Sequence, residues 1–181
     1  CFGLYAAQFI AVFSFLPTAY LAVGIGASLA GLLSAFGVAI NVVGNLASGV
    51  LLGAGVRRHW LIAITSLVMA AGATAAFAES LPFGLRYAAV LMFSAVGGLI
   101  PGTLFATAPR FAPHAGAVST TTGLMQQGST IGQFVSPPLI AAVASGTGGW
   151  SQAGWVIALF AGANLAAAWL IGAIDRRVAR H

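Results

Sequence analysis

The sequence predicts an all-α polytopic membrane protein of six transmembrane helices, and three observations predict it. Of its 181 residues, 60% are hydrophobic and only 5% are charged, whereas a soluble domain carries about 25% charged residues. The apolar residues gather into six runs, each close to the ~20 residues that a helix needs to cross a bilayer. Finally, six of the seven arginines fall on one side of a six-span arrangement.

The runs follow one another with short gaps, in a single bundle covering 1–181. The first covers about 3–23 and contains Gln8 and Pro17, and a tight Gly24-Ile25-Gly26 turn ends it. The second covers 28–54 and is closed by Arg57-Arg58-His59; the third covers 60–78. A loop over 79–84 leads to the fourth span, 85–108, and the loop after it carries Arg110. The fifth span is 117–145, a glycine-rich turn occupies 146–151, and the sixth span is 152–174. A basic tail runs from Asp175 to His181.

Arg57, Arg58, Arg110, Arg176, Arg177 and Arg180 share one side, and Arg86 alone takes the other. An arginine at mid-bilayer costs about 3 kcal/mol, and the basic side normally stays cytoplasmic. Both ends of the segment are therefore expected inside the cell. This also accounts for the net charge of +5 and the sequence pI near 10.8 without nucleic acid as a partner. The single Cys1 excludes an internal disulfide. The chain opens at Cys1 and runs straight into a span, which reads as a piece of a longer polypeptide, with no cleavable signal peptide.

The fifth span is not a plain lipid-facing rod. Gln126, Thr130 and Gln133 recur at steps of four and three, the spacing of one helical face. Polar amides at membrane depth are costly unless they meet protein or a water-filled cavity. Gly123, Gly128 and Gly132 thin the helix, and Pro137-Pro138 is expected to interrupt its backbone ladder. The second span repeats the pattern with Asn41, Asn45 and Ser48. By contrast, the third and sixth spans are nearly all apolar and read as outer, lipid-facing scaffold.

Close-packing signals are frequent: Gly49-x-x-x-Gly53, Gly98-x-x-x-Gly102 and Gly128-x-x-x-Gly132 each clear one face for a neighbouring backbone. A faint internal repeat pairs spans one to three with four to six. An offset of 88 sets Gly44-Asn45-Leu46-Ala47-Ser48 over Gly132-Gln133-Phe134-Val135-Ser136, and Leu51 over Leu139. Repeats of three spans are a device of transporters. Catalytic readings fail for want of residues. No serine has a histidine at membrane depth, and paired carboxylates, metal-ligand spacing and a phosphate-cradling or other cofactor motif are all missing from the sequence. No enzyme and no cofactor are expected.

With these residues in view, the chain resembles the C-terminal six-helix half of a major facilitator superfamily transporter. Gly49-Val50-Leu51-Leu52-Gly53-Ala54-Gly55-Val56-Arg57-Arg58 is similar to the family's loop motif G-x-L-a-D-r-x-G-r-r. The stretch from Gln127 to Leu139 looks like many of its eleventh helices, and Gly148-Gly149-Trp150 follows as a turn often does there. Gly53 replaces the motif's Asp, Ala54 its first Arg and Val56 its second Gly, so the gating salt bridge attributed to that Asp cannot form. The resemblance implies that spans one and four line a central cavity, that two and five face a missing N-terminal six-helix half of the same polypeptide, and that three and six lie outside. It makes Gln8, Tyr20, Tyr87, Ser94 and Pro101 candidates for the cavity. Asn41, Asn45, Gln126, Thr130 and Gln133 become candidates for the inter-half seam or cavity wall. The implied function is secondary transport of a small organic solute by alternating access in a bacterial cytoplasmic membrane. The alternative reading is a self-contained six-span protein acting as a homodimeric channel or accessory subunit.

Overall fold

The computed structural model describes residues 1–78, 80–147 and 153–178, and among them every regular element is helical. Helix α1 is Phe2–Ala22, α2 Ala27–Ala39, α3 Asn41–Gly53, α4 Arg58–Ala76, α5 Phe83–Gly97, α6 Leu99–Thr107, α7 Val118–Thr147 and α8 Ala153–Val178. Five stretches are long and apolar enough to cross a membrane: Phe2–Ala22, Ala27–Gly53, Arg58–Ala76, Phe83–Arg110 and Val156–Arg176. The 30 residues of α7 reach about 45 Å at a rise of 1.5 Å per residue, so it too is long enough, though more polar. Glu79, the turn with Gly148-Gly149-Trp150, Gln152, Arg180 and His181 lie outside the described residues.

Three expectations need correction. The second and fourth spans are each two helices, broken at Ile40 and Gly98. Both residues keep right-handed helical dihedrals, so the axis carries on and the irregularity is local. Pro101 accounts for the break at Gly98, because its missing N–H leaves the Gly97 carbonyl without its helical donor. Conversely, α7 runs unbroken through Pro137 and Pro138. Proline's fixed φ is itself helical, and membrane helices tolerate the freed carbonyls where other groups re-satisfy them. The supposed basic tail is helical to Val178, so Asp175 and Arg176 belong to the last turns of α8.

Two glycines end helices by their conformation. Gly24 and Gly55 have φ of 84° and 86°, the left-handed region that side chains avoid. At the second turn the Gly55 N–H donates to the Leu52 carbonyl and the Val56 N–H to that of Leu51, both at 3.0 Å. These two bonds form a Schellman closure of α3.

The bundle is assembled by α1 packing on α7 and α8, α4 on α5 and α8, and α3 on α5 and α6. Glycine sets the closest of these approaches. A Cβ at Gly44 would overlap the Ala95 carbonyl oxygen, and one at Gly98 the carbonyl oxygen of Asn41. Gly102 faces the Ser48 hydroxyl in the same way, and Gly132 faces the Gly3 carbonyl. Gly49 and Gly53 meet nothing, so of the three GxxxG pairs that one clears no helix contact here. Gly44 seats span two on span four, and Gly132 seats span five on span one.

The third span is not peripheral within this bundle. Of the residues in its apolar window 56% are buried, against 22% in the second span, because α4 is clasped between α5 and α8. Thr65, Ser66 and Met69 are fully inside, while Ile64 and Leu67 form an outward apolar stripe. The sixth span shows the same outward stripe at Leu159, Leu170 and Ile174.

These crossings make a direct prediction. Gly98→Val forces a side chain into backbone and is expected to cost at least the 1–3 kcal/mol typical of overpacking, read as a lower thermal midpoint in detergent. Gly53→Ala, with open space around it, should leave the midpoint unchanged. A Gly98→Val protein as stable as the parent would contradict the packing described.

Candidate functional site

A cleft of about 340 Å³ opens between α1, α3, α6 and α7. Five of the residues singled out from sequence line it: Asn41, Asn45, Pro101, Gln126 and Gln133. Two that sequence reasoning missed join them, Tyr5 and Ser129. Phe2, Phe9 and Ile10 supply the apolar wall.

Its polar side is a continuous hydrogen-bond chain centred on Asn41. The Asn41 Nδ2 donates to the Ser94 carbonyl at 2.8 Å and to the Tyr5 hydroxyl at 3.1 Å. In turn, the Tyr5 hydroxyl donates to Asn41 Oδ1 at 3.3 Å. Asn45 Nδ2 reaches the same Oδ1 at 2.9 Å and the Asn41 carbonyl at 3.1 Å. Across the cleft, Gln133 Nε2 donates to the Ser129 hydroxyl at 3.1 Å. Gln126 is exposed, and among the described residues its amide has no hydrogen-bond partner. The aromatic wall is a ladder along α1, with Tyr5 and Phe9 centroids 5.8 Å apart and Phe9 and Phe13 4.6 Å apart.

The helical period explains both hits and misses on α7. Gln126, Ser129 and Gln133 step by three and four, and so do Gln126, Thr130 and Gln133. The cleft selects the first set; Thr130 is exposed and its hydroxyl donates to the Gln126 carbonyl. An offset of 88 carries Asn41 to Ser129 and Asn45 to Gln133, a correspondence that could have pointed to Ser129. No pattern marked Tyr5 beyond its polar tip.

The remaining candidates lie elsewhere. Ser94 takes part through its carbonyl, while its hydroxyl is buried without a partner among the described residues. Gln8 is wholly buried, with Nε2 donating to the Leu4 carbonyl and Oε1 unpartnered among the described residues. Tyr20 and Tyr87 sit in a separate aromatic group with Phe83, Tyr20 lying 5.3 Å from Phe83 and 6.3 Å from Tyr87. There the Tyr87 hydroxyl donates to the Leu33 carbonyl at 3.2 Å, a bond that ties α5 to α2. Neither tyrosine lines the cleft. Asn164 on α8 is also wholly buried, and both ends of its amide lack partners among the described residues.

The loop-motif residues Gly49, Gly53, Arg57 and Arg58 line a second and larger cavity at one end of the bundle. There Arg58 pairs with Asp175 on α8, Nε to Oδ2 at 2.8 Å. This ion pair connects the third span to the sixth. It was hidden in the sequence because Asp175 read as part of a tail.

Chemically the cleft offers neutral donors and acceptors beside aromatic rings. It has no carboxylate, imidazole or thiol, and among the described residues no group of three His, Cys, Asp or Glu could hold a metal ion. Comparison with protein-family models, curated proteins and solved structures finds no match.

Asn41 carries more bonds than Tyr5, and interhelical hydrogen bonds in membranes average about 0.6 kcal/mol each. Asn41→Leu should therefore lower the thermal midpoint in detergent by clearly more than Tyr5→Phe. Equal midpoints for the two variants would show that Asn41 is not the hub.

Proposed function

We propose that this chain is the C-terminal six-helix half of a major facilitator superfamily transporter, moving a small organic solute by alternating access. One observation carries the reading: a row of neutral amides and hydroxyls opens outward from an otherwise apolar bundle. In hydrocarbon the Gln126 amide and the outward carbonyl oxygens of Asn45 and Gln133 would be left unsatisfied, at a cost of several kcal/mol each. A partner half and a water-filled path would satisfy them. Asn45, Gln126 and Gln133 then become the groups that a solute meets, with Phe2, Tyr5 and Phe9 as its apolar wall.

Two further features support this. The equivalent roles of Gly44 and Gly132, and of Asn45 and Gln133, fit a 3+3 repeat, in which transporters place their sites at the repeat interface. The second span and α7 also carry large exposed apolar side chains beside the cleft, including Leu46, Val50 and Phe134, as a surface meeting another half or lipid would. In this reading the arginine-rich end is cytoplasmic, in a bacterial inner membrane. With Tyr5 the one ionisable side chain lining the cleft, this reading assigns any proton coupling to the other half.

The coding sequence upstream of Cys1 gives the first test. Roughly 200 further residues with six more spans are expected; a start codon immediately before Cys1 would turn the reading toward a homodimer. In the intact carrier, Gln126→Leu with Gln133→Leu should cut solute uptake roughly tenfold, as loss of two net hydrogen bonds of about 0.5–1.5 kcal/mol each implies, with membrane insertion unchanged. Undiminished uptake would remove both residues from the site.

A further inference from the structure

The cavity at the arginine-rich end holds about 900 Å³ and is built from the α3–α4 turn, the turn after α6 and the last turns of α8. Four guanidinium groups line it: Arg57, Arg58, Arg110 and Arg176. Asp175 is the one carboxylate among the described residues, and Arg58 takes both of its oxygens. The same guanidinium lies 3.9 Å over the Phe111 ring, which fixes it as a brace between the third span, the sixth and the turn after α6. Arg57, Arg110 and Arg176 are exposed, and no acid pairs with them among the described residues. Four arginines against one aspartate leave the cavity with three positive charges in excess. Like charges gathered in this way repel until an anion joins them.

The walls add a second requirement. Leu52 and Val56 face the same space as the cations, and Gly53 and Gly55 leave the rim bare of side chains. A purely water-borne anion would use the charges and gain nothing from the apolar wall. A molecule with a phosphate at one end and hydrocarbon at the other would use both. The cavity also sits where the candidate spans end, the level that headgroups would take around a membrane-spanning bundle. Basic pockets between spanning helices on that side of a membrane are suited to anionic lipid, and guanidinium groups match phosphate oxygens with paired donors.

We propose that this cavity seats the headgroup of an anionic phospholipid, its phosphate held by Arg57, Arg110 and Arg176 and its first acyl carbons against Leu52 and Val56. The inference depends on the chain spanning a membrane and stands apart from the carrier reading. Occupancy would clamp the α3–α4 turn to the ends of α6 and α8.

The test is thermal unfolding of the full-length protein in neutral detergent, titrated with phosphatidylglycerol, phosphatidylcholine or inorganic phosphate. Phosphatidylglycerol is expected to raise the midpoint and the other two are not. The triple variant Arg57→Gln, Arg110→Gln, Arg176→Gln should need roughly tenfold or more phosphatidylglycerol for the same shift, as loss of three basic contacts implies. The single Arg176→Gln variant, should the triple one not fold, should need a few times more. Inorganic phosphate reproducing the shift with the same arginine dependence would make the occupant a soluble anion and overturn the lipid assignment. An undiminished response to phosphatidylglycerol in these variants would overturn the site.

Discussion

Within hydrocarbon a polar side chain has only other protein groups to satisfy it, and in this bundle that constraint converges on Asn41. Its amide bonds to Tyr5 on the first span, to Asn45 on its own span and to the Ser94 carbonyl on the fourth. The backbones must come close for one side chain to do this. They do so because Gly44 and Gly98 clear the crossing, where any Cβ would strike a carbonyl of the other helix. The break at Gly98, the orientation of Pro101 and the polar edge of the cleft all sit around that crossing. Elsewhere the same demand is met locally, as where the buried Ser136 hydroxyl donates to the Ala7 carbonyl at 2.7 Å and holds α7 to α1.

Much of this was legible in the chain, for physical reasons. Long apolar runs separated by arginine fix where the helices begin and end, since little else is stable in a bilayer. Amides inside such runs stand out, and Asn41, Asn45, Gln126 and Gln133 do meet in one cleft. What spacing alone does not decide is a choice between i+3 and i+4, and so Ser129 stood behind Thr130. Nor does it weigh a proline against tertiary packing, which is why α7 survives Pro137 and Pro138 while the fourth span breaks ahead of Pro101. Long-range pairs were the least visible. Arg58 and Asp175 lie at opposite ends of the sequence, and only folding shows that the sixth span reaches the α3–α4 turn. Burial was misjudged for the third span because an apolar helix looks alike whether it faces lipid or its neighbours.

The two cavities divide the molecule's chemistry. One is neutral, amide-rich and aromatic, and lies among the spans; the other is cationic and lies at their ends. A neutral cleft suits a ligand chosen by shape and hydrogen bonds. The cationic one is braced by Arg58, Asp175 and Phe111 into a single unit joining three turns. The α3–α4 turn thus has a mechanical place in the fold, tied to the end of α8 by the Arg58–Asp175 pair.

The central claim is that the cleft faces water and protein rather than lipid. Reaction of single cysteines with N-ethylmaleimide tests it most directly, because the reactive thiolate forms only where water reaches. In the intact polypeptide, in native membranes and with Cys1→Ser as background, Gln133→Cys is the probe and Leu159→Cys on the outer stripe of α8 the control. The account predicts that Gln133→Cys reacts and Leu159→Cys does not. Protection of both alike would place the amide row against lipid and contradict the account.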